Sequence, residues 1–172
     1  EEAPRGLAAE LLAAHLELAE CLLALGRHSE CAEVLFLCEK VFPAEEADFV
    51  NLSRVLFEGQ FELFWRCGIE CRALANFSDA YRYFVNAQNA CDKGGIYRDT
   101  ERYDDVLWEI GHCVLEIKTE SEPLGSLGEK YLVAISRMVQ ASKSSRLAEH
   151  CDRRVDLSRG IITCALRLAR LE

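Results

Sequence analysis

The chain has 172 residues, half of them hydrophobic, and a formal net charge of −9. That length matches one domain able to bury a real core, and the acidic balance argues against a nucleic-acid surface, which needs clustered Lys and Arg to neutralise phosphates. No apolar run approaches the ~18 consecutive residues of a membrane span, so no membrane partner is expected.

From Leu11 the residues Leu11, Leu12, His15, Leu18, Ala19 and Leu22 recur at i, i+3, i+4 and i+7, one apolar stripe of a helix. Gly26 ends it, Ser29 is the expected N-cap of a second helix, and Cys31, Val34, Leu35 and Cys38 form a second stripe that stops before Pro43. Two antiparallel helices joined by so tight a turn bury one face against each other and leave another that needs a neighbour.

Ala44 to Leu74 holds no proline and keeps the helical period through Phe49, Leu52, Leu56, Phe61, Phe64, Cys67 and Cys71, so a single long helix is expected, with Gly59 as a site of bending. Ala75 and Asn76 form its turn, and Phe77, Ala80, Phe84 and Ala87 lead a helix closed by Lys93-Gly94-Gly95. A third pair begins near Thr100 with Tyr103, Val106, Leu107, Ile110 and Val114 on one face. Residues 118–127, rich in polar side chains with one proline and a glycine and followed by Gly128, read as an inserted loop before Tyr131, Ala134, Met138 and Ala141 resume the pattern. A last helix is expected from Ser144 or Ser145 as cap, through Leu147, Val155, Leu157, Ile161, Ile162 and Leu168.

The succession Leu18-Ala19, Leu22, Gly26, Cys31, Leu35, Cys38 and Pro43 resembles a tetratricopeptide repeat, and Cys67-Gly68 with Ala80, Phe84 and Ala87, then Ile110-Gly111 with Tyr131, Ala134, Met138 and Ala141, repeat it. Equivalent positions recur every 40 to 50 residues, longer than the ~34 of the standard motif. The resemblance implies an all-α fold: a right-handed superhelical stack of antiparallel helix hairpins, an α-solenoid, with a C-terminal capping helix. Its units would be about 7–43, 44–95 with a long first helix, 98–143 with the inserted loop, and 144–172 as the cap. The opening Glu-Glu-Ala-Pro and the close in mid-pattern suggest a piece of a longer protein.

Catalysis has no evident seat in the residues. Cys67 and Cys71 lie four apart, but no Cys-x-x-Cys pair accompanies them, and His112 and Cys113 project about 100° apart on a helix, so neither metal nor other cofactor is expected. His15 and His28 read as packing or turn residues. Lys93-Gly94-Gly95 lacks the spacing of a phosphate loop. Nine cysteines with few prolines and no secretory leader fit a reducing compartment, and the chain is expected to be intracellular, cytoplasmic or nuclear. The cysteines, Cys21 and Cys113 included, read as small hydrophobes in the packing.

By its resemblance the chain is expected to be a scaffold or adaptor that binds a partner peptide or helix in a concave groove. Carried over by register, that groove comprises Leu16, Glu17 and Glu20 in the first unit, Trp65, Arg66, Ile69 and Arg72 in the second, and Trp108, Glu109, His112 and Glu116 in the third. The lysines and asparagines with which chaperone-binding relatives clamp a terminal carboxylate are missing from these places. An acidic, aromatic groove favours a basic or apolar protein segment instead. The other readings are a helical regulatory or substrate-recruiting domain of a larger enzyme, and self-association.

Overall fold

A computed structural model describes residues 2–42, 50–117, 124–143 and 151–171. Among them are seven α-helices and no strand: α1 (Glu2–Ala24), α2 (His28–Val41), α3 (Val50–Ala73), α4 (Phe77–Gly94), α5 (Glu101–Glu116), α6 (Leu124–Ser142) and α7 (Cys151–Leu168). The expectation of an all-helical chain therefore holds. Packing runs mainly between chain neighbours, α1 on α2, α3 on α4, α4 on α5, α5 on α6 and α6 on α7, with lesser contacts of α1 on α3, α5 on α7 and α2 on α3.

Two helix ends close the same way, and a third shares their left-handed residue. The Gly26 N–H donates to the Leu23 carbonyl at 2.8 Å and the Arg27 N–H to that of Leu22 at 2.9 Å, with Gly26 at φ +70°. Ala75 and Asn76 repeat the pattern onto Arg72 and Cys71, both at 2.9 Å, and Ile96 after left-handed Gly95 bonds Cys91 at 3.1 Å. This geometry satisfies otherwise orphaned carbonyls and reverses the chain within two residues. Ala75 adopts it at φ 57° without glycine's freedom, a local cost of about 1 kcal/mol.

Where the hairpins pack, a small residue on the first helix receives a large one from the second. A Cβ on Gly68 would stand 2.6 Å from Cε1 of Phe84, and one on Gly111 2.5 Å from Cγ of Met138. Both large side chains are buried, and so are Ala80, Ala87, Ala134 and Ala141 on the same helices. In the first hairpin Ala19 and Leu35, at the matching places, are buried as well. A smaller core of Leu12, Cys38, Phe42 and Leu56 closes the other end of α1 and α2.

Several expectations need correction. The buried stripe of α1 is Leu12, Ala19, Leu22 and Leu23, while Leu11 and Leu18 are exposed; leucines lie on both sides of this helix, so the periodicity admits two stripes. Cys21 is exposed rather than packed. The helix α2 starts at His28, so its N-cap is Arg27 and Ser29 sits in the first turn; Arg27 supplies no capping bond and pairs with Glu30 instead. The single long helix expected around Gly59 is seen as α3, and Gly59 makes room there for Leu16 of α1. Residues 124–127, expected in the inserted loop, are the first turn of α6, held there by burial of Leu127. In α7, Val155 and Ile162 are exposed, and Leu157 and Cys164 face inward. Pro43, Phe49, the remainder of the inserted loop, Ser144, Ser145 and Leu147 lie outside the described residues.

Candidate functional site

The helices α1 and α3 pack on each other, as do α5 and α7, and long side chains link α1 to α3 and α3 to α5. Arg66 of α3 reaches Glu20 of α1 at 2.9 Å, and Leu16 of α1 lies against Gly59 of α3. Between α3 and α5, Arg72 donates to both carboxylate oxygens of Glu109 at 2.5 Å, and Arg102 donates to Glu62 at 2.7 Å. Arg102 also lies 5.3 Å above the ring of Phe61.

These pairs differ in burial. The side chains of Glu20 and Arg66 are open to water, and such pairs contribute at most about 1 kcal/mol. Glu109 keeps only 10% of its side-chain surface exposed, against 37% for Arg72, so the arginine chiefly satisfies an otherwise buried carboxylate. Of the four predicted carboxylates, Glu20 and Glu109 are thus engaged by arginines, while Glu17 and Glu116 are exposed.

Both tryptophans are half-buried, in different settings. Trp65 packs 5.2 Å from the ring of Phe84 and stacks at 6.4 Å on Phe61, which makes it part of the α3–α4 contact, and Ile69 packs on the same core. Trp108 stands with its ring 6.0 Å from that of His112, on the wall of a cavity of ≈ 280 Å³ at the seam of α5 and α7. Leu115 and, from α6, Met138 also line it. The opposite wall is Asp156, Arg159, Gly160 and Thr163 of α7. A Cβ on Gly160 would stand 2.6 Å from Sδ of Met138, so the absent side chain lets Met138 pack directly against α7.

Leu115, Met138 and the whole α7 wall were not anticipated at this site. Gly160, after Arg159, is the signal that could have found them, because it repeats on α7 the glycine of Cys67-Gly68 and Ile110-Gly111.

Most buried thiols have the character of hydrophobes. Burial pushes Cys113 and Cys91 up to about 12 and Cys164 up to about 11, so they stay protonated near neutrality. Cys67 donates to Cys31 at 4.0 Å, and that bond together with burial holds its thiol well above the ordinary range. Among the described residues no group of three or more His, Cys, Asp or Glu side chains is arranged to hold a metal ion, and no helix is long and apolar enough to cross a membrane. A scan of family models and searches of curated proteins and of solved structures found no match to this chain.

Proposed function

We propose that the chain is a non-catalytic scaffold or adaptor module whose α1, α3, α5 and α7 face seats a segment of another protein. The observation that carries this reading is the seam cavity, whose lining combines apolar Trp108, Leu115 and Met138 with polar His112, Asp156 and Arg159. A large amphipathic ring beside a pocket of this kind suits an anchor side chain from a partner. The repeated seating of Phe84 against Gly68 and Met138 against Gly111 supports a tetratricopeptide-like, right-handed superhelical stack, in which first helices line a concave groove and α7 caps the array. With Arg66, Arg72 and Arg102 drawn onto carboxylates and Glu17 and Glu116 left outward, the face favours a segment with apolar anchors and basic flanks over an acidic one. Its cysteine-rich core fits a reducing cytoplasm or nucleus.

Trp108→Ala is expected to weaken capture of the bound protein at least tenfold, which is about 1.4 kcal/mol, while Trp65→Ala acts mainly on stability because its ring belongs to the α3–α4 contact. Affinity measured by titration, with helicity and melting followed in parallel, checks this. Equal affinity in a folded Trp108→Ala variant would remove the cavity from the reading. Exposed Leu11, Leu18 and Leu25 along α1 and Val155, Ile162 and Leu166 along α7 favour a second reading, self-association through the terminal helices.

A further inference from the structure

The turn between α1 and α2 and the turn between α3 and α4 meet over a second cavity, of ≈ 230 Å³, and the side chains at its edge are ordered in a way packing does not require. His28, the first residue of α2, places its Nε2 2.8 Å from Oε2 of Glu70. With a carboxylate at Nε2 that nitrogen carries the proton, which leaves Nδ1 as an acceptor. The Cys71 thiol lies 3.9 Å from Nδ1, within reach for a sulfur donor. A thiol, a base aimed at it and a carboxylate orienting the base form the constellation of an activated nucleophile. His28 lies 42 residues from Glu70 and 43 from Cys71 along the chain, and His28 and Cys71 both line the cavity.

We infer that Cys71 is a covalent modification site, addressed through this cavity by a small uncharged electrophile of the α,β-unsaturated carbonyl class. The sulfur would bond to the β-carbon as the thiol proton passes to Nδ1 of His28. The C=C electron pair moves to the α-carbon, which then takes that proton back, so nothing is oxidised and no group leaves. Glu70 steadies the imidazolium while it lasts. The cavity is smaller than the ~300 Å³ at which ordinary ligand pockets begin, so the reagent must be compact. Its charge is constrained as well: Arg27 is paired with Glu30 and Arg82 with Asp79, and Glu70 is left as an additional negative group, so an anionic reagent is repelled. Burial, Asp79 and Glu70 push the Cys71 thiol up to about 11, with Arg82 opposing, so without a base the thiolate is scarce at neutrality and the histidine becomes decisive.

Alkylation of the folded protein by iodoacetamide near pH 7.5, read by peptide mass mapping, tests the assignment; here the C–I bond breaks, iodide leaves and His28 takes the thiol proton. Exposed Cys21 serves as the internal standard and buried Cys67 as the reporter of opening. Cys71 is expected to label in the folded chain and to prefer iodoacetamide over anionic iodoacetate more than Cys21 does. His28→Gln should slow Cys71 about 100-fold, and Glu70→Gln by a smaller factor, with Cys21 unchanged in both. If His28→Gln loosens the packing, seen as labelling of Cys67, the half-exposed Glu70 decides through its own variant. Labelling of Cys71 only after denaturation, or at the wild-type rate in Glu70→Gln and in a folded His28→Gln, overturns the assignment.

Discussion

Gly68→Val should destabilise the chain by about 3 kcal/mol, lowering its melting temperature by roughly 10 °C for a domain of this size. The Cβ alone would stand 2.6 Å from one ring atom of Phe84 and 2.8 Å from the next, and a branched side chain adds two methyl groups to that space. Phe84 has nowhere to retreat, being wholly buried between Trp65 and the rest of the core. The small gain in helix propensity over glycine, about 0.5 kcal/mol, does not offset this. Trimming the ring should recover part of the loss: Gly68→Val with Phe84→Leu is expected to be at least about 1 kcal/mol more stable than the sum of the single changes. Denaturant titrations of the four proteins measure the coupling. Strict additivity would mean that the two positions do not share one space.

The second large effect concerns a charge. Arg72→Met keeps most of the arginine's stem and removes its guanidinium, leaving Glu109 nearly buried with its principal partner gone. The expected loss is about 2 kcal/mol, below the 3–5 of a fully buried pair because more than a third of the Arg72 side chain meets water. Arg66→Met removes the exposed partner of Glu20 and should change stability by under about 1 kcal/mol. Adding Glu109→Leu to Arg72→Met should restore most of the loss. Similar costs for the two arginine variants would show that Glu109 has no special need of its partner.

What could be read before the fold was known follows from how one-sided each helix is. In α4, α5 and α6 most large apolar residues occupy one face, with Leu132 of α6 an exposed exception, so Ala80, Phe84, Ile110, Tyr131, Ala134 and Met138, placed by register with the repeat, are all buried. In α1 leucines lie on both sides of the helix, and only the core shared with α2 and α3 decides that Ala19 and Leu23 are buried while Leu18 is exposed. The terminal α7 has the same ambiguity, with Val155 and Ile162 outward and Leu157 inward. The start of α6 was missed because two glycines and a preceding proline suggest a loop, whereas Leu127 gains enough by burial to hold the helix. At the site, register located Trp108 and His112, but not that α7 would face them. The meeting of His28 with Glu70 and Cys71 depends on how two turns stack, and spacing along the chain carries no trace of it.

Site-specific photo-crosslinking bears most directly on the idea that this face receives another polypeptide. Benzoylphenylalanine would replace, one at a time, exposed His112 and Glu17 on the first helices, Leu132 on α6, and Leu18 and Ile162 on the outer sides of α1 and α7. Adducts to a separate protein chain are expected from positions 112 and 17 and not from 132. Crosslinks confined to position 132, or to a second copy of this chain through positions 18 and 162, would contradict a groove-bound partner.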